Sequence, residues 1–563
     1  MTKQPLDSAQ PVLDLDQALP SQTHEVFNQP TALSDYNAYS AHSVLQHYVA
    51  CFDGSWGESQ LTDYGALCGG ELLHAGFAAN HYRPEFISHD RFGHRIDQVN
   101  YHPAYHELMR QAIKAGHHNL PWLKPQAGAH VVRAAIEYLH TMADPGSGCP
   151  LTMTFAAVPA LQQQSELAEQ WLPRILSEQY DPSNQPYFNK RGVTIGMAMT
   201  EKQGGSDVRA NTTVATAINS AAPEQGYALN GHKWFCSAPM CDAFLVLAQT
   251  DAGLSCFLMP RWRPDGKKNG FFIQRIKDKV GNVSNASSEV EFRNAFAWRI
   301  GALGKGVRTI LEMVALTRFD CMVGSSALMG LATQQAIHHT SGRKAFGQPL
   351  HQQPLMQNVL ADLALEAEAG LSLAMRLAHA LDQGQNEHEQ SLFRIGTAIG
   401  KYWICKRAPQ LIAEAMECIG GVAVVKDNVL ARLYTEAPVN AIWEGSGNIQ
   451  CLDVARAFER DQQSREAFCS ELERAYGQYP SYDQWCSQLI QDIRQGTPAQ
   501  GQLRRFVERM AIAWQAATLI QFAPANVAVA FVQNRIEQPH AMFGTLNEAS
   551  DWSRLITRFQ AQL

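Results

Sequence analysis

The sequence predicts an α+β protein in which a β-rich domain is inserted between helical regions. Three observations carry that reading. Apolar residues recur at helical spacing from about 41 to 185, fall into short runs punctuated by Gly, Asp, Asn and Pro between 190 and 300, and return to helical spacing after Gly306. At 563 residues the chain also exceeds what one core organises, so it divides into several domains.

Residues 1–40 are polar, contain Pro and lack periodicity, and read as an extended N-terminal arm. A helical N-terminal domain over 41–189 follows from Val44, Leu45, Tyr48 and Val49, and from Val131, Val132, Ala135, Ile136 and Leu139. The central domain over 190–300, a β-barrel or sandwich, is predicted from runs at 212–218, 226–229, 244–249, 255–259, 271–276 and 288–292. A helical bundle over 301–455 begins with Val307, Ile310, Leu311 and Val314 and continues with Leu355, Val359, Leu360 and Leu363. Its apolar stretch at 392–419 reads as a central helix kinked or divided near Pro409 and closed by Gly420-Gly421. The remaining 456–563 form an extra C-terminal helical domain, with a helix at 503–520 broken near Pro524.

A net charge of −7 and a pI near 6.3 give no global electrostatic case for nucleic acid or an anionic membrane. No run approaches 18 apolar residues and the start lacks a signal-peptide core, so a cytoplasmic protein without membrane contact is expected. The twelve cysteines are scattered without a C-x-x-C pair, which argues for buried small side chains and against zinc or a disulfide framework. His117-His118 and His338-His339 lack partners at ligand spacing and read as surface or helix-end residues, so no metal is expected.

The segment most suggestive of chemistry is Met199-Thr200-Glu201-Lys202-Gln203-Gly204-Gly205-Ser206-Asp207. Val193, Ile195, Met197 and Met199 alternate as a half-buried strand, and the glycines after it take positive φ and bring N–H groups close to a ligand. Thr200 and Ser206 add hydroxyl donors, making a cradle for an anion or a polar ring edge. A bare strand-to-turn junction accounts for the glycines alone.

This order of regions, with five motif blocks, resembles the acyl-CoA dehydrogenase superfamily. The nonamer matches T-E-x-x-x-G-S-D, and 230–237 resembles N-G-x-K-x-W-I-T. Arg343-Lys344-Ala345-Phe346-Gly347 resembles R-x-x-F-G, 417–421 resembles Q-x-x-G-G, and 442–449 resembles the I-Y-E-G-T block. Within the superfamily, 23–30, 149–156, Glu201-Lys202-Gln203-Gly204-Gly205 and 316–321 are similar to the branch induced by DNA alkylation, as is a tail of about a hundred residues after the glutamate block. The resemblance implies FAD, with Met199, Thr200, Gly205 and Ser206 on one side of it, Phe235 and Ser237 on the other, and Ser446 and Asn448 adding contacts. It also implies that Arg343, Phe346, Glu417 and Gly421 reach the FAD of a neighbouring subunit in a homotetramer. Phe235 replaces the usual Trp, and Glu417 the usual Gln, which puts the latter contact in question.

Glu444 aligns with the catalytic base that takes the α-proton of an acyl-CoA. An exposed turn glutamate is the plain alternative. Some members carry the base at a position equivalent to Thr317, where a threonine cannot serve. Arg318 matches an arginine near the CoA moiety, but its usual aspartate is Ala315, and Trp443 replaces Tyr beside the base. The implied substrate is therefore a slowly turned-over, short or branched acyl-CoA.

The same branch implies sequence-independent binding of double-stranded DNA through the C-terminal domain. From 452 to 563 there are eleven Arg and no Lys against twelve Asp plus Glu, so only local clusters of Arg456, Arg460, Arg504, Arg505 and Arg509 suit phosphates. A solvated helix face explains each of these arginines equally well. The expected function is an FAD-containing dehydrogenase homologue of low activity that binds and protects DNA during alkylation stress. A metabolic acyl-CoA dehydrogenase and a flavin-stabilised DNA-binding protein without turnover stay open as alternatives.

Overall fold

The computed structural model describes residues 24–218 and 226–563, so most of the expected N-terminal arm lies outside the described residues. Helices α1 (Ser43–Cys51), α2 (Glu58–Gly69) and α3 (Glu71–His81) lead into a hairpin, β1 (Glu85–His89) and β2 (Arg95–Asn100). That hairpin interrupts the mostly helical pattern expected up to 185. Its strands are short and half-buried, so they leave little periodicity, and its turn is set by Asp90 Oδ1 accepting from the Phe92 and His94 N–H groups. Helices α4 (Pro103–Lys114), α5 (Leu120–Leu123), α6 (Ala129–Ala143), α7 (Pro145–Gln162) and α8 (Ser165–Ile175) follow. Asp144 caps α7 by accepting from the Ser147 N–H at 2.8 Å. His117 and His118 lie just beyond α4 but are buried rather than at the surface; His117 pairs with Glu137, and burial holds both imidazoles well below their ordinary pKa.

The central strands are β3 (Ile195–Ala198), β4 (Val214–Ala217), β5 (Gly226–Ser237), β6 (Ala243–Thr250), β7 (Gly253–Pro260), β8 (Phe271–Ile276) and β9 (Ser287–Ile300). Pairing runs β6-β4-β5-β9-β7 and returns to β6, closing a small barrel, with β3 parallel beside β6 and β8 beside β9. The barrel core includes Phe244, Leu245, Phe257 and Leu258 and takes up one side of α7 through Phe155 and Val158. Leu151, one turn earlier, belongs to the helical core. Helix α7 is thus the seam between the two cores.

The bundle contains α9 (Gly306–Gly342), a small hairpin β10 (Lys344–Ala345) and β11 (Gln348–Pro349), α10 (Pro354–Asp382), α11 (Glu387–Ile419), α12 (Val429–Ile442) and α13 (Gly447–Arg460). The expected division near Pro409 does not occur. Buried Ile404, Cys405, Ala408, Leu411 and Ile412 hold α11 against its neighbours on both sides of the proline, and that packing outweighs a cost of about 3 kcal/mol. Gly420, at φ +87°, ends the helix as expected.

The chain closes with α14 (Gln462–Glu473), α15 (Pro480–Gln495), α16 (Leu503–Phe522), α17 (Ala525–Phe531) and α18 (Trp552–Phe559). Buried ion pairs fasten these helices to the bundle. Arg376 bridges Glu389 and Glu471, Arg535 bonds Asp362 and Glu366, and Arg558 clasps Glu368. No described helix is long and apolar enough to cross a membrane.

Candidate functional site

The cradle is a tight turn clipped to the barrel. The Glu201 and Gly204 backbones bond to each other, Gly204 stands at φ +139°, and the Trp234 N–H of β5 donates to the Thr200 carbonyl at 2.8 Å. A Cβ on Gly205 would sit 2.5 Å from Thr200 Oγ1, so only glycine lets the turn approach that hydroxyl. Beneath it, Glu201 is fully buried and accepts from Lys233 Nζ and from the N–H and hydroxyl groups of both Thr212 and Thr213. Burial alone would raise this carboxyl; Lys233 and the four Thr donors instead hold it well below the usual range. The cradle is thereby anchored by a permanent charge pair, leaving Met199 and Thr200 half-exposed and Gly205 and Ser206 open.

Strand β5 presents a second wall. Alternation turns Cys236 inward and Phe235 and Ser237 outward, with Phe235 46% exposed. Lys277 Nζ lies 4.5 Å from the Phe235 ring centroid. An open aromatic face beside hydroxyls and a glycine-shaped approach suits a flat ring with polar edges, the donor set a flavin requires.

Glu444 reaches the same region from the bundle. Its backbone is left-handed at φ +57°, which costs a non-glycine residue roughly 1–2 kcal/mol. Neighbouring donors pin it there. Lys401 Nζ on α11 donates to the carbonyls of Asn440, Trp443 and Gly445 at 2.9, 2.9 and 3.0 Å, while Arg318 Nε donates to the Glu444 carbonyl at 2.9 Å. The carboxylate itself accepts from Thr317 Oγ1 at 2.8 Å. Burial raises the Glu444 pKa, opposed by Thr317, Lys401 and Arg318, which moves it toward the range of a working base. Cys149, in the second turn of α7, borders the β5 wall: its thiol interacts with Ser237 and Asn282 and feels the charge of Glu444.

The bonds of Arg318 are informative. Asp453 on α13, 2.8 Å away, accepts from Arg318, so Arg318 is held against the glutamate loop. Trp443 donates from Nε1 to Asn440 Oδ1 at 2.9 Å. Ser446 begins α13, and Asn448 in its first turn accepts from Arg504 Nε at 2.8 Å.

Arg343, Phe346, Glu417 and Gly421 stand elsewhere. Arg343 is 25 residues along α9 from Arg318, roughly 37 Å at 1.5 Å per residue. Glu417 is 16 residues along α11 from Lys401, roughly 24 Å. Helices α9 and α11 run parallel, as Phe319 against Phe393 and Cys405 against the Cys321 carbonyl indicate, so both groups lie toward one end. Phe346 is 96% exposed at the hairpin tip, and Arg343 donates to the Asn28 carbonyl at 3.0 Å. Of the tail arginines, Arg456, Arg460, Arg504 and Arg505 are exposed, whereas Arg509 pairs with Asp492 at 2.7 Å. Lys401 and Asp453 are parts that sequence reasoning did not identify, because each acts across a long sequence separation and neither was read as part of a motif; Thr317 was considered only as a base, and its role as donor to Glu444 was missed.

Residues 28–182 match the N-terminal domain of adaptive response protein AidB, 196–295 the acyl-CoA dehydrogenase middle domain, and 304–458 the acyl-CoA dehydrogenase C-terminal domain. The chain is 43% identical over 515 residues to AidB of Escherichia coli (strain K12), a protein named as an acyl-CoA dehydrogenase, covering 91% of this chain and 94% of that one. It is 29% identical over 454 residues to acyl-CoA dehydrogenase family member 11 of Caenorhabditis elegans, covering 76% and 70%. The crystal structure of Caenorhabditis elegans ACDH-11 in complex with C11-CoA superposes with a TM-score of 0.83 at 25% identity, covering 94% of this chain and 95% of that one.

Proposed function

As this chain belongs to the acyl-CoA dehydrogenase family, in its AidB group, we propose that it holds FAD between the Thr200–Ser206 cradle and the Phe235–Ser237 wall and oxidises a short or branched acyl-CoA slowly. The observation that carries this reading is the buried Glu444 carboxylate, raised in pKa by burial and accepting from Thr317 Oγ1 at 2.8 Å. Glu444 takes the α-proton of the thioester, Thr317 keeps the receiving oxygen in place, and Trp443 limits the room beside it. The flavin, when bound, supplies the acceptor for the β-hydride. A C11-CoA complex of a structural relative supports an acyl-CoA as the ligand class, and an FAD complex of the acyl-CoA dehydrogenase from Bacillus anthracis shares the fold. Glu444→Gln is expected to keep a yellow protein while slowing anaerobic flavin bleaching by isovaleryl-CoA roughly 10²- to 10⁴-fold. Equal bleaching by the variant rejects Glu444 as the base.

The distance along α9 favours an assembly. Arg343 caps the far end of α9, roughly 37 Å from Arg318, and Phe346 is exposed at the hairpin tip beyond it, as suits groups that complete a neighbour's flavin site in a homotetramer.

A second reading, binding of duplex DNA with protection during alkylation stress, is supported by exposed Arg456, Arg460 and Arg505 on the packed helices α13 and α16, none of which makes an ion pair among the described residues. Fluorescence anisotropy with a 30-base-pair duplex across 50–300 mM salt tests it. Removing one phosphate-binding arginine, as in Arg456→Ala or Arg460→Ala, is expected to flatten the log–log salt slope by about 0.9. No binding at 50 mM salt removes the DNA reading and leaves the dehydrogenase one.

A further inference from the structure

A hydrogen-bonded chain runs behind the Ser237 wall. Lys279, in the segment between β8 and β9, donates from Nζ to the Asn285 carbonyl at 2.8 Å and to Ser287 Oγ at 2.9 Å. Ser287 Oγ lies 3.2 Å from Ser237 Oγ. Lys279 touches neither the cradle nor the Glu444 loop, and the family reading gives it no task. An ammonium has only donors, so Ser287 accepts from Lys279. Either serine can donate across the 3.2 Å pair, and when Ser287 gives its proton to Ser237, the Ser237 proton is free for the site or for the neighbouring Cys149 thiol.

We propose that Lys279, acting through Ser287, is a positioning residue that holds the Ser237 hydroxyl as a donor toward the flavin edge and favours the reduced ring by its positive charge. This rests on the reading that Ser237 lines the flavin. The groups facing Lys279 are Cys149 from α7, Glu436 from α12 and Arg83 from the segment after α3, with Asp278 next to it in sequence and paired to Arg83. Burial, aided by Arg83, pulls the Lys279 pKa down to about 8, against the pull of Cys149 and Glu436. Its charge therefore changes within the pH range in which the protein is handled. Two hydrogen bonds and a third of ordinary length make a path of about 9 Å, over which a unit charge gives about a twentyfold change in the reduced-to-oxidised ratio at an effective dielectric near 20.

Spectroelectrochemical titration of the FAD-loaded protein between pH 6.5 and 9.5 tests the proposal. Lys279→Met is expected to lower the ratio about twentyfold at pH 7, a midpoint about 40 mV more negative for a two-electron couple, and to remove a break near pH 8 in the plot of midpoint against pH. Lys279→Arg keeps the midpoint at pH 7 and also lacks the break. Ser287→Ala, which retains the charge but cuts the chain, is expected to give about a threefold loss. A purely structural lysine would move none of these values. Yellow Lys279→Met and Ser287→Ala proteins with the parent midpoint at every pH overturn the proposal while leaving the cofactor reading intact. If Lys279→Met holds no flavin, Ser287→Ala decides by the same criterion. A parent protein that takes up no FAD overturns both.

Discussion

Replacing Thr317 with Val should shift the working pH of Glu444 upward. The valine keeps the shape and removes the donor to Glu444 Oε2, which lies 2.8 Å from the hydroxyl. A hydrogen bond to an ionised carboxylate contributes about 1.5–3 kcal/mol. The same hydroxyl is 3.1 Å from the Val314 carbonyl, and its one proton is divided between the two acceptors. Halving the contribution gives about 1 kcal/mol for the charged form, or about 0.7–1 pH unit. The bond favours the carboxylate, so its loss raises the pKa, and the acid limb of the pH profile moves to higher pH by about that amount. The assay is the stopped-flow rate of anaerobic flavin bleaching by isovaleryl-CoA at subsaturating concentrations from pH 5.5 to 9. Thr317→Ser should restore the parent profile. An acid limb that stays in place in Thr317→Val, or moves to lower pH, would refute the assignment of Thr317 as the group that stabilises the Glu444 carboxylate.

Glu436 makes a test of stability against pH. Burial raises its pKa to about 7, although it accepts from the Asn282 N–H at 2.7 Å. The folded state holds this proton more tightly than the unfolded chain, so stability falls as pH rises from about 4.5 to about 7 and is level above that. Glu436→Gln should remove a fall on the order of 3 kcal/mol, read from urea midpoints at pH 5 and 7.5; an unchanged difference between the two would count against a buried, raised carboxyl. Arg343→Ala is expected to release FAD on gel filtration and to lower the mass by light scattering, since its guanidinium would serve a neighbour's pyrophosphate. A variant that stays yellow and keeps the parent mass would exclude that role.

Much of the architecture was legible in periodicity. The barrel strands, the helix after Gly306 and the stop at Gly420 each follow from patterns a few residues long, which local stereochemistry translates directly. Where competing long-range packing decides, the patterns fell short. The β1–β2 hairpin is half-buried and too short to show alternation, and α11 passes through Pro409 because its neighbours hold both halves. His117 and His118 looked like helix-end surface residues, yet Glu137 and the folding of α6 over them make them interior.

At the candidate site the division is similar. Residue types and short spacings were enough to nominate the Thr200, Gly205 and Ser206 cradle, because a glycine-shaped turn after a strand is a local feature, whereas Phe235, Ser237 and Glu444 were nominated by the resemblance of their motif blocks to the family. Only the tertiary structure could supply Thr317 at the carboxylate, Lys401 under three carbonyls, Asp453 against Arg318, and the Lys279–Ser287–Ser237 chain. Those contacts join helices and strands tens to hundreds of residues apart. Sequence patterns record which face of an element is apolar; which polar groups meet across the interior depends on how the elements cross, and that is set by the packing of the whole chain.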